Sequence, residues 1–148
     1  METQLATKDY SFNQSNQIVL EKEKVGYTRE PVAGTGKKSF LVFNRNKYLV
    51  VPTDAIAFFY IKFDATVFVT FDKREYTVNY SLEQVQQLLP GQQFFRLSRQ
   101  YLLNFNAVKE VEHYFARKLL VVPTVSFSDK LVVSKEKAKS FLDWLENR

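Results

Sequence analysis

The sequence predicts a mainly β domain carrying two short helices. Three observations carry that reading. Apolar residues recur in short strand-length runs divided by turn residues, the run Ala65–Phe71 alternates with a period of two, and only two stretches show helical spacing. The aromatic content, 14 Phe, 8 Tyr and 1 Trp in 148 residues, is enough for a dense core.

The elements follow in order. Phe40–Phe43 and Lys47–Val51 flank Asn44-Arg45-Asn46, a hairpin pattern that Pro52-Thr53-Asp54 ends. Asp54–Ile61 is rich in aromatic and branched residues, and Lys62–Asp64 is a connection. Ala65–Phe71 sets Val67, Val69 and Phe71 on one face and Thr66, Phe68 and Thr70 on the other. Asp72-Lys73 is a two-residue turn, and Arg74–Val78 returns. Ser81 then caps a helix through Leu89, with Gln84 completing a capping box. Leu82, Val85, Leu88 and Leu89 form its apolar face, and Pro90-Gly91 stops it.

Phe94-Phe95-Arg96, a polar knot at Ser98-Arg99-Gln100, and Tyr101–Phe105 come next. Ala107–Tyr114 and Lys118–Val122 are strands around a turn at Ala116-Arg117, and Lys130–Val133 is the last strand. Ser134 caps a C-terminal helix over 135–147 with an imperfect box, Lys137 standing where Gln or Glu is best. Ala138, Phe141, Leu142 and Leu145 make its apolar stripe, with Trp144 beside it.

Residues 1–38 read as a tail or linker, with a short strand or helix near Ile18–Leu20 and a flexible Gly34-Thr35-Gly36; only three aromatics fall there. The folding domain is 39–148. It holds +4 of the chain's formal net charge of +5, so the basic excess sits with the core-forming part. A moderately basic domain suits nucleic acid or an anionic surface, and equally a well-solvated one.

Much chemistry is excluded. Cysteine is absent, which removes disulfides, thiol catalysis and cysteine zinc sites. His113 is the single histidine and lies in a strand-like run, where a surface position is the plain reading. The acids are scattered, with Asp64, Asp72 and Asp129 at turns, and no glycine-rich phosphate loop exists. No enzyme, cofactor or metal is therefore expected. No apolar run approaches the ~18 residues that span a bilayer, and the N-terminus lacks a signal-peptide pattern. The expectation is a cytoplasmic protein without membrane insertion.

Three segments place polar donors on connections or helix starts, where β scaffolds carry binding function. They are Lys62, Asp64 and Thr66 between two strands; Arg96 with Arg99 and Gln100; and Ser134 with Lys135 at a helix N-terminus, where free N–H groups suit phosphate. Arg and Gln are the residue types that read guanine and adenine edges. Taken by composition alone, each segment is a solvated connection.

The run Phe94-Phe95-Arg96-Leu97-Ser98-Arg99-Gln100-Tyr101-Leu102-Leu103-Asn104 resembles the central signature of the LytTR DNA-binding domain, the output domain of a family of response regulators. Val132-Val133-Ser134-Lys135-Glu136-Lys137-Ala138 resembles the family's last strand, its Val-Ser-Arg and its final helix. The Asp54-Ala55-Ile56 and Ser81-Leu82-Glu83 starts agree, so the likeness spans about 39–148. The variant common in Bacteroidetes-type regulators is the nearest, with its Phe-Phe-Arg, Arg-Gln and Trp-Leu.

The resemblance implies an elongated β-fold of about ten short strands whose loops enter successive major grooves of double-stranded promoter DNA, often at paired direct repeats. It implies a transcription regulator, a sensor kinase or membrane sensor upstream, and a dimer on DNA. It places the Arg99 position at the DNA surface and gives the Ser134–Lys135 position a groove role. Two departures stand out. Residues 1–38 are too short for the receiver most members carry, which fits a stand-alone regulator or an excised output domain. Lys135 replaces the usual Arg, a point charge in place of a bidentate fork. The alternative reading is a protein-interaction module that pairs through exposed edge strands.

Overall fold

The structure is a computed structural model that describes residues 36–148. The expected short helix or strand near Ile18–Leu20 lies outside the described residues. Ten strands and two helices follow in the expected order. β1 (Ser39–Asn44) and β2 (Lys47–Pro52) form a separate hairpin. β3 (Ile56–Lys62), β4 (Ala65–Thr70), β5 (Glu75–Val78), β6 (Phe94–Arg96) and β7 (Tyr101–Asn104) form a five-stranded antiparallel sheet in the order β5-β4-β3-β7-β6. β8 (Val108–His113), β9 (Leu119–Pro123) and β10 (Leu131–Val133) form a third sheet. α1 (Leu82–Leu88) precedes β6, and α2 (Lys135–Glu146) follows β10.

The middle of the central sheet has no wet face, while β5 at its edge leaves Glu75 and Thr77 exposed. From Ile56 to Phe59 every residue of β3 is fully buried. Phe59, with Phe68 of β4 and Leu102 of β7, points into a core closed by β1 and β2 (Phe40, Val42, Val51) and by α1 (Leu82, Val85). Phe58 and Tyr60, with Val67, Val69 and Leu103, point into a second core closed by Leu119, Val121, Leu131 and Val133 of the third sheet and by Phe141 of α2. Strands buried on both faces read as near-continuous apolar runs, which is why β3 shows no alternation in the sequence.

Tight turns join the antiparallel pairs. Arg45 and Asn46 both take left-handed backbone (φ 52° and 65°), as do Phe63 and Asp64 (φ 50° and 63°). Two-residue hairpins need this geometry because only the primed turns match the strand twist. The outer face of the first hairpin departs from the usual pattern. Leu41 pairs with Val50 and Phe43 with Tyr48, all four on the solvent side and each more than 60% exposed.

The helices agree with expectation in place and differ in detail. At α1 both capping-box bonds form: Gln84 N–H donates to Ser81 Oγ at 3.1 Å, and Ser81 N–H to Gln84 Oε1 at 2.9 Å. At α2, Ser134 is the N-cap residue, but its side chain makes no capping bond. The residue three positions on is Lys137, a donor that cannot close a box. The stripe of α2 also differs. Leu142 is 46% exposed, while Trp144 packs against Phe95 and Phe141 and donates its indole N–H to Gly91 O at 2.8 Å. Trp144 carries more apolar surface, and the rotation that seats it turns Leu142 outward.

Asn104 is fully buried at the end of β7. Its Nδ2 donates to Ile56 O at 2.8 Å, and its Oδ1 accepts from Asn106 N–H at 2.9 Å. The amide thus joins the start of β3 to a 3-10 turn over Phe105–Ala107. Asn104→Ala leaves the buried Ile56 carbonyl without this donor and the Asn106 N–H without its acceptor, so it is expected to cost about 1–3 kcal/mol. Thermal melting followed by circular dichroism checks this.

Candidate nucleic-acid interface

The Leu97–Gln100 loop between β6 and β7 is built around one guanidinium. Arg96 Nε donates to Ser98 O at 2.6 Å, and Nη2 to Arg99 O at 3.0 Å. Nη1 donates to Gln86 Oε1 of α1 at 3.0 Å, and Nη2 also meets Glu83 Oε2 at 3.5 Å. Planar donors in a fixed fork can bind two loop carbonyls and a helix together, which an ammonium cannot. Leu97 is buried beneath the loop, and Gln100 N–H donates to Ser98 Oγ at 3.0 Å. The carboxyl of Glu83 is held below its ordinary value, first by its own backbone N–H and then by Arg96.

Two further segments meet this loop. Ile61 N–H donates to Gln100 O at 3.2 Å, which extends the β3–β7 ladder and sets the Phe63-Asp64 turn beside the loop. Lys137 Nζ, in the first turn of α2, donates to Arg96 O at 3.1 Å. Its pKa is lowered, chiefly by burial and then by the nearby Arg96 charge. The three segments singled out in the sequence therefore converge, 62–66 and 134–137 each bonded to or beside 96–100.

The individual residues divide into two groups. Arg99, Gln100, Asp64 and Lys135 are exposed, and the side chains of Arg99 and Lys135 make no ion pair or hydrogen bond among the described residues. Ser134 is half-buried. Arg96 was expected to join the contact set, yet only 13% of its side chain is exposed and its donors are taken by the loop and α1. Thr66 is 5% exposed, on the inner side of a cleft between the turn and the start of α1. β4 is buried on both faces, so its alternation did not mark an outer side.

Lys62 is exposed but committed. Its Nζ meets Glu75 Oε1 at 2.9 Å, while Tyr60 OH donates to Glu75 Oε2 at 2.6 Å. The Tyr60 hydrogen bond, then Lys62, holds the Glu75 carboxyl below its ordinary value. Burial first and Glu75 second push the Tyr60 hydroxyl far up. On the same face, burial and Asp129 push the Tyr101 hydroxyl up to about 12.

Sequence reasoning placed Phe63 inside a candidate segment but gave it no role. It is 93% exposed at the tip of the β3–β4 turn. An aromatic residue with left-handed backbone is uncommon, and that conformation is visible only in the structure. Among the described residues no cluster of metal-ligating side chains occurs, and no helix is long and apolar enough to cross a membrane.

Comparison with known proteins decides the family. The model of the LytTr DNA-binding domain matches residues 46–146. This chain belongs to the LytTR DNA-binding domain family. A solved LytTr DNA-binding domain from Bacillus cereus, described as part of a methyl-accepting/DNA response regulator, is similar in fold. It superposes with a TM-score of 0.64 at 23% identity, over 74% of this chain and 98% of that one. No curated protein matches. The LytTR domain is a DNA-binding domain.

Three outcomes are expected from this geometry. Arg96→Ala should release the loop, seen as faster hydrogen exchange at the Ser98–Gln100 amides, and Arg96→Lys should not restore it. Phe63→Asn should relieve left-handed strain by about 1 kcal/mol, read as a rise in Tm. The third concerns pH. Because the folded pKa of Glu75 lies below its unfolded value of about 4.3, its stabilisation is complete above that value and is lost as pH falls through the folded one. Glu75→Gln should accordingly lower Tm at pH 7, and the gap from wild type should close on acidification.

Proposed function

We propose that this LytTR domain, spanning residues 39–148 with 1–38 as a linker, is a sequence-specific transcription regulator. The β3–β4 turn, the Leu97–Gln100 loop and the start of α2 meet double-stranded DNA, each entering or bordering a major groove. The carrying observation is the Arg96 hub, which bonds the loop, α1 and Lys137 of α2 while the side chains of Arg99, Gln100 and Lys135 are exposed and make no hydrogen bond or ion pair among the described residues. Arg99 and Gln100 are the base-reading pair. Ser134 and Lys135 hold phosphate, through a helix N-terminus and a cation. Arg96 acts on DNA through the loop it shapes, and Thr66 supports the turn from within. Lys62 and Asp64 flank the contact.

The Bacillus cereus relative is described as part of a response regulator, which supports a signalling input here: a sensor kinase or membrane sensor upstream, with two copies on paired direct repeats, in the cytoplasm. A second reading, a protein-interaction module, draws on the apolar outer face of the β1–β2 hairpin. A mobility-shift titration on DNA upstream of its own operon, repeated across salt, separates them. DNA binding with a linear log–log salt dependence supports the regulator, and its absence supports the module.

Arg99→Ala is expected to weaken binding to the preferred site by about 1–3 kcal/mol with the fold intact. Lys135→Ala is expected to weaken specific and random DNA nearly alike and to reduce the salt slope by about one unit. Fluorescence anisotropy at several salt concentrations measures both.

A further inference from the structure

The geometry points to Phe63 as a specificity-determining residue that reads the 5-methyl group of a thymine in the major groove. The inference rests on the DNA-binding reading above. Phe63 is 93% exposed, the most exposed of the large apolar side chains among the described residues. The turn holds its backbone: Lys62 pairs with Ala65 across it, and both tip residues are left-handed. The ring is thereby presented on a turn that is anchored two residues earlier, where Ile61 N–H donates to Gln100 O at 3.2 Å.

The chemistry of the tip selects the kind of DNA surface it suits. The tip is poorly suited to phosphate, because Lys62 is paired with Glu75 and the next tip residue is Asp64, an anion. A tip made of an apolar ring and a carboxylate suits base edges, not the backbone. On the major-groove edges of the four bases the one apolar group is the thymine methyl, and aromatic side chains are among its known contacts. The carboxylate beside it can only accept, from a donor such as cytosine N4 or adenine N6.

The test begins with selection of a preferred site from a random duplex pool, using the full chain. Each thymine of that site is then replaced singly by deoxyuridine, which removes only the methyl. Affinities are measured for wild type, Phe63→Asn, Phe63→Leu and, as a control aromatic away from the interface, Tyr48→Ser. One thymine position per bound copy should weaken wild type about fourfold, the factor equivalent to ~0.8 kcal/mol for one buried methyl. Phe63→Asn should bind thymine and deoxyuridine alike at that position while melting no lower than wild type. Phe63→Leu and Tyr48→Ser should keep the discrimination.

Wild type indifferent to every replacement would overturn the proposal, and that result also covers a ring that wedges between base pairs without touching a methyl. A selected site without thymine, or a Phe63→Asn variant that still senses the same methyl, would overturn it too. Failure of wild type to select or bind any duplex would instead sink the DNA-binding reading itself.

Discussion

β3 is buried on both faces, and that constraint organises the domain. A strand with Ile56, Ala57, Phe58 and Phe59 fully buried cannot leave either side of its sheet in water. One side is covered by the β1–β2 hairpin and α1, the other by the third sheet and α2. The two cores share a single sheet, so movement of β3 is felt in both. Asn104 secures the entry to β3 from β7 through a buried amide, where an unpaired carbonyl would be costly. The far end of the same pair of strands carries the candidate interface, so the loops there stand on the most deeply packed part of the fold.

At that end the charges are sorted by task. Arg96 is spent on carbonyls and on α1, and Lys62 is spent on Glu75. Arg99 and Lys135, one on the loop and one at the helix start, are exposed, and their side chains make no ion pair or hydrogen bond among the described residues. Two cations, Arg96 and Lys137, lie close together, and the Lys137 pKa is lowered by burial first and by the Arg96 charge second. Carbonyl oxygens and Glu83 offset the repulsion, so the loop geometry does not depend on DNA to neutralise it.

The turns show a different compromise. The chain has only four glycines, yet Arg45, Asn46, Phe63, Asp64, Lys73, Ala116 and Arg117 all adopt left-handed backbone. Asn and Asp tolerate this through their short polar side chains, but Phe63 does so at a cost. Strain of this kind persists where the surroundings over-determine it, and functional sites are where it gathers. A turn optimised for stability alone would carry Asn-Gly at 63 and 64.

The order of the ten strands, the α1 capping box and the family signature over 94–104 were all readable in the sequence, because each depends on residues a few positions apart. The three candidate segments were also readable as exposed connections. Which of their side chains face outward was not. Arg96 turns inward because Gln86 and Glu83, 10 and 13 residues away, come within reach only after α1 packs on the sheet. Thr66 is covered because β4 has packed neighbours on both sides, which alternation alone cannot report. Trp144 replaces Leu142 in the stripe of α2 because Gly91 offers its carbonyl, 53 residues distant, to the indole. Sequence settles what nearby residues decide through backbone geometry; the tertiary structure decides the rest, since a buried donor takes the partner that folding brings to it.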